Sequence, residues 1–193
     1  MDLLRTYRRT LTEFADQVGR VGADQWAGPT PCGDWDVRML VNHVVGEDRW
    51  SVPLFGGASL AEVGDRFAGD LLGDDPAASA RDAAEAADRA VSEPGALDRM
   101  VELSAGPTAG REYLYQLMAE HLVHGWDLMV AVGTEPRLDA EAVRECARWF
   151  ADRVSMYRAD GLVEPGVPVP SDASEQDRLV AAFGRDPGWR PKS

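Results

Sequence analysis

The sequence predicts an all-α bundle of four or five main helices. Apolar residues recur at three- and four-residue steps through several long segments. Proline and glycine cluster between those segments, and aspartates stand where helices would begin. Residues 2–20 form the first helix, with Leu3, Leu4, Tyr7, Leu11, Phe14 and Val18 on one face and Gly19 and Gly22 ending it. The loop from Trp26 to Asp34 is stiffened by Pro29 and Pro31. Asp34 or Asp36 then caps a second helix, from Val37 to about Trp50, that Pro53 and Gly56-Gly57 close. Residues 59–72 read as a short helix or an ordered loop. The alanine-rich run from Pro76 to Ser92 reads as a helix with a small, close-packing face, stopped by Pro94-Gly95. Met100 to Ser104 is a short extended piece and Gly106-Pro107 a turn. A central helix spans 109–132 and ends at Gly133. Asp139 caps a last long helix through about Tyr157, with Cys146 and Phe150 inward. Val163 to Pro170 is extended, and Ser174 to Phe183 is one more short helical piece. We therefore divide the chain into a helical bundle, 1–160, and a C-terminal tail, 161–193, packed on it.

Length and composition set the functional bounds. The 193 residues, 45% hydrophobic and 27% charged, suit one globular domain with a real core. A net charge of −13 argues against nucleic acid as partner and against anionic membranes. The positive charges are nearly all arginine, Lys192 being the one lysine, a bias that resembles high-GC bacterial coding. No signal-like or membrane-spanning apolar run is present. Cys32 and Cys146 form no Cys-x-x-Cys pair and read as thiols in a reducing cytoplasm.

The chemistry concentrates in Glu120-His121-Leu122-Val123-His124-Gly125-Trp126-Asp127 of the central helix. Glu120 and His124 are one turn apart and share a face; His121 and His124, three apart, form the other close pair. The third of only three histidines, His43, lies on the second helix. Polar rings and a carboxylate on largely apolar helices need partners. Two readings fit: histidines satisfied by hydrogen bonds in the core, or a divalent metal held by His43, Glu120 and His124 with coordination positions left open. The second accounts for all three residues together. Zinc suits these ligands, and iron or nickel accepts them too. Asp127 shares the stripe of Glu120, and Glu47 and Trp50 follow His43 at four and seven residues. Each is placed to orient a ligand or line a pocket. Cys32, in the proline-rich loop, reads first as a buried thiol and second as a ligand or nucleophile. Arg38 and Arg49 read as solvated charges. Trp26, Trp35, Trp50 and Trp126 read as core before pocket wall.

The stretches Pro29-Thr30-Pro31-Cys32-Gly33-Asp34-Trp35-Asp36 through Asn42-His43, and Glu120 through Leu128, resemble the DinB-like superfamily. Within it they are similar to the metal-binding domain of mycothiol-dependent maleylpyruvate isomerases and related actinobacterial metal-binding proteins. The tail from Val167 to Pro187 also resembles an actinobacterial branch. The resemblance implies a DinB-like four-helix bundle with extra short helices and an extended tail. It also implies a metal, usually zinc, held by a histidine of the second helix and a Glu-x-x-x-His pair, here His43, Glu120 and His124. His121 falls outside that pattern. The isomerase branch carries a further C-terminal domain, where this chain has residues 161–193.

As function, the resemblance implies a metal that activates mycothiol, or another low-molecular-weight thiol, for attack on a small-molecule electrophile. The product is an S-conjugate in a transferase and a rearranged substrate in an isomerase. A metal-dependent hydrolase that uses no thiol and a non-catalytic metal-binding module are the rivals. A monomer or a homodimer is expected.

Overall fold

Helix starts in this chain are dictated by side chains that satisfy the first free amides. The computed structural model describes residues 2–159, 161 and 163–191. Helix α1 (Leu3–Val18) is capped by Asp2 and α2 (Val37–Phe55) by Asp36, whose Oδ1 accepts the Met39 amide at 2.7 Å. The short α3 (Leu60–Val63) carries a reciprocal Ser59–Glu62 capping box. Helix α4 (Pro76–Ser92) starts with Asp75 as cap and Pro76 in its first turn. Strands β1 (Met100–Leu103) and β2 (Gly106–Ala109) form an antiparallel hairpin that leads into α5 (Gly110–Ala131). Then come α6 (Ala140–Ala151), α7 (Val154–Ala159) and α8 (Glu175–Ala182).

Helices α1, α2, α4 and α5 pack on one another as a DinB-like four-helix bundle, and α6 lies against α5 and α8. Helix α5 is buried along most of its length, which matches a sequence that is apolar nearly all round. Its entry is tight: a Cβ on Gly110 would stand 2.4 Å from the Ala96 carbonyl oxygen, so only glycine fits there. Among the described residues no helix is long and apolar enough to cross a membrane.

Three details differ from the expectations. Proline 53 does not close α2, which runs on to Phe55; Pro53 sits in the last turn, where few helical bonds remain to be broken. The last long helix is two. It bends after Ala151, and Arg153 turns back to make a two-pronged pair with Glu112 of α5 (2.7 and 3.0 Å). The extended piece at Met100 has a partner strand where a plain turn was expected.

The tail folds back on the bundle. Val167 donates its amide to Ala181, and Phe183 stacks on Phe150 of α6 at 4.0 Å between ring centroids. Helix α8 ends in a Schellman turn: Gly184 donates to Ala181, Arg185 to Val180, and Gly184 has φ +85°. That turn aims the next side chain, Arg185, into the molecule. Asp160, Leu162, Lys192 and Ser193, at the expected bundle–tail boundary and the end of the tail, lie outside the described residues.

Candidate metal centre

Two helices bring the three expected ligands together. His43 stands on α2, and Glu120 and His124 on successive turns of α5. His43 Nε2 lies 3.1 Å and His124 Nε2 3.0 Å from the same oxygen, Glu120 Oε2. The three ligand atoms all fall within 4.8 Å of one another. A tetrahedral zinc with bonds of about 2.0–2.1 Å would hold its ligands roughly 3.3 Å apart, so this spacing fits such an ion with little movement. The group is also reachable: the side chains of His43 and Glu120 are 32% and 37% exposed and that of His124 is 9% exposed. They border a cavity of about 420 Å³.

Electrostatics follow from the convergence. Burial disfavours charge on both His124 and Glu120, but the contacts override it. Asp127 and Glu120 hold the His124 imidazolium pKa up at about 9, and the two histidines keep the Glu120 carboxyl well below the usual range. A bound cation would take the place of the proton that this cluster retains.

Asp127 lies beneath His124. Its Oδ2 is 3.0 Å from His124 Nδ1, which leaves Nε2 facing Glu120. Such a carboxylate–histidine contact fixes the ring that binds a metal. Asp127 is itself fully buried and is held by Arg185, whose Nε and Nη2 donate to it at 3.1 and 2.9 Å. Arg185 Nη2 also donates to Cys32 Sγ at 3.4 Å. Cys32 thus lines the cavity, and burial pushes its thiol pKa up despite the guanidinium. Cys32, His124 and Asp127 form a second close group, but Arg185 already supplies its positive charge, so a second ion does not fit.

Glu47 is half-buried close to Glu120 and His43, and burial with the nearby Glu120 charge raises its pKa to about 7. Among the described residues it makes no hydrogen bond to either imidazole. Trp50 packs on Phe67, away from the cavity, whereas Trp35 lies 4.8 Å from His43 and 5.9 Å from His124, centroid to centroid. Trp126 is core. Arg38 pairs with Asp70, and Arg49 donates to Ser79. His121 is sealed in the bundle, its Nε2 3.0 Å from Asp48 Oδ1 and its ring against Tyr7 and Phe14. Sequence reasoning missed Arg185 and the cavity walls formed by Gln116, Trp149, Tyr157 and Phe183. Helical spacing marks neighbours on one helix only. The Gly184-Arg185 pair after an apolar run was the one signal, marking a helix end with a charged residue just past it.

The profile of the mycothiol maleylpyruvate isomerase N-terminal domain matches residues 7–129, which carry His43, Glu120, His124 and Asp127. Two uncharacterized proteins of Mycobacterium tuberculosis, MT0763 and Rv0738, are each 31% identical over 191 residues, covering 96% of this chain and 98% of their own. No solved structure matches the chain. With a family profile spanning most of its bundle, the chain belongs to the mycothiol maleylpyruvate isomerase N-terminal domain family, on the DinB-like fold.

Proposed function

We propose that this protein is a metal-dependent, thiol-using transferase or isomerase whose divalent ion, zinc first, is held by His43, Glu120 and His124. The observation that carries the reading is the meeting of two imidazole nitrogens and one carboxylate oxygen at the end of an open cavity. The family's name supports a thiol of the mycothiol type as co-substrate. When bound, such an ion lowers the pKa of a thiol so that thiolate is available near neutral pH.

The chain's own residues do the rest. Asp127 holds the His124 ring by Nδ1, and Arg185 holds Asp127, so the ligand faces the cavity in one orientation. Trp35 covers the two imidazoles on one side and limits the access of water. The segment 163–191 is part of the working unit in this reading, because it supplies Arg185 and Phe183 to the site. Two free cysteines and an acidic surface suit a cytoplasmic enzyme acting on small molecules, as monomer or homodimer, without nucleic acid or membrane.

The test is spectroscopic and enzymatic together. Cobalt-substituted protein is titrated with mycothiol, and a thiolate-to-cobalt charge-transfer band is the expected result. Wild-type protein then converts the electrophile only when thiol is present, with the thiol consumed by a transferase and returned by an isomerase, and Glu120→Ala gives neither the band nor the conversion. Turnover of an ester or amide without thiol would favour a hydrolase. Metal uptake with no spectral response to any thiol would reduce the protein to a metal-binding module.

A further inference from the structure

The cavity beside the candidate centre has a second end. Gln116 lies one turn before Glu120 on α5, and around it stand Trp149 of α6, Tyr157 of α7, Phe183 after α8 and Glu164 of the tail. Three features of this end define what it would accept.

The first is charge. Among the described residues lining the cavity the only arginine or lysine is Arg185, and it is spent: Nε and Nη2 go to Asp127, Nη2 also to Cys32, and Nη1 to the Phe183 carbonyl. Glu120 and Glu164 are the acids. The charge of a dication at the centre is offset by Glu120 and by the thiolate that accompanies it. A carboxylate entering the cavity therefore loses its water and finds no free cation, which is costly. The second is shape. Trp149, Tyr157 and Phe183 give this end aromatic walls, and the polar edge of Trp149 is turned elsewhere, its Nε1 donating to Glu112 at 3.0 Å. Tyr157 stands edge-on to Trp149 at 5.6 Å. The third is a hydrogen-bonding handle. Tyr157 is only 8% exposed, and among the described residues its Oη, which stands near Gln116, makes no hydrogen bond of normal geometry. Buried hydroxyls nearly always make one, so this donor is available for a ligand.

We infer that this end of the cavity is the electrophile subsite, and that it takes a neutral, flat, conjugated molecule whose single acceptor oxygen is bound by Tyr157 Oη and the Gln116 amide. The inference rests on the proposed thiol-transfer reading for the word electrophile, but the subsite itself stands on the wall residues. It sets this chain apart from chemistry on a dicarboxylate such as maleylpyruvate.

Cinnamamide and cinnamate share one planar skeleton and differ by a charge, which makes them the probes. Each is titrated calorimetrically into the full chain, metal-free and loaded with zinc plus saturating mycothiol, with zinc content measured on the same samples. Cinnamamide is expected to bind at least about tenfold more tightly than cinnamate in both forms. Tyr157→Phe, which deletes one oxygen, is expected to weaken cinnamamide about three- to tenfold, the effect of one lost hydrogen bond. Gln116→Leu gives a second reading of the same kind should Tyr157→Phe fold poorly. Glu164→Arg, which places a free cation at the subsite, is expected to narrow the gap by improving cinnamate. Equal or tighter binding of cinnamate, no binding of either, or cinnamamide binding unmoved by both Tyr157→Phe and Gln116→Leu would overturn the assignment. Failure of the protein to hold zinc while cinnamamide still binds would remove the metal reading and leave the subsite standing.

Discussion

His121 and His124 lie three residues apart on α5, and each has a carboxylate 3.0 Å away, Asp48 in one case and Asp127 in the other. Their surroundings part them. The His121–Asp48 side chains are 1% and 3% exposed, wedged among Tyr7 and Phe14. Among the described residues, His121 Nδ1 and Tyr7 Oη are both buried there without a partner. The ring of His124 instead has a second carboxylate, Glu120, on its other nitrogen, and that carboxylate opens to the cavity. The same pair of residue types thus serves the core in one place and a candidate ligand site in the other. What separates them is access for a ligand together with a second and third donor, and the carboxylate–imidazole contact itself is common to both.

Breaking each pair should give opposite signatures. Asp48→Ala leaves a buried imidazole without its partner and is expected to cost roughly 1–3 kcal/mol of stability in urea unfolding. Metal affinity should stay within about twofold. A variant as stable as wild type would show that the core pair is not what holds α2 to α5 there.

Asp127→Asn disturbs the site from behind. Metal affinity is expected to drop about 10- to 100-fold, as for other lost partners of ligating histidines. Stability also falls, because Arg185 loses its charge partner in a buried position. Arg185→Met should act in the same direction on affinity, by about tenfold or less, since it acts through Asp127. In the double variant the two affinity losses should not add, because one chain of contacts carries both. Additive losses in a competition titration with a chromophoric chelator would separate Arg185 from the ligand.

The last contrast is in the response to pH. In the metal-free protein the His124 pKa is about 9, against roughly 6.5 in an unfolded chain. A group raised in this way gives stability that is complete below about 6.5 and is lost as pH climbs through about 9. Metal binding must displace that proton, so apparent affinity should rise up to about tenfold per pH unit in the same window and level off above it. A flat affinity profile between these values would mean that His124 gives up no proton to the ion.

Much of the candidate site was legible because it is local. Glu120, His124 and Asp127 are placed by helical spacing alone, and His43 by the scarcity of histidine. The bundle was legible for the same reason, through apolar periodicity and caps such as Asp36 and Asp139. What spacing does not carry is a contact made across the chain. Arg185 reaches Asp127 from 58 residues away, through a Schellman turn and a tail folded back on the bundle. Tyr157 reaches the cavity only because α6 breaks near Asp152, where Arg153 swings to Glu112. Nor does spacing tell Asp48, which pairs with His121, from Glu47 beside it, which pairs with neither ring. One residue of rotation on α2 decides between them.

The measurement that tests the account most directly is elemental analysis of protein purified without a histidine tag, beside His43→Ala, Glu120→Ala and His124→Ala. About one zinc (or iron, or nickel) per wild-type chain is expected, with its loss in all three variants and folding retained by circular dichroism. Wild-type protein that carries no metal and takes up none on reconstitution, or Glu120→Ala that keeps a full complement, would contradict it.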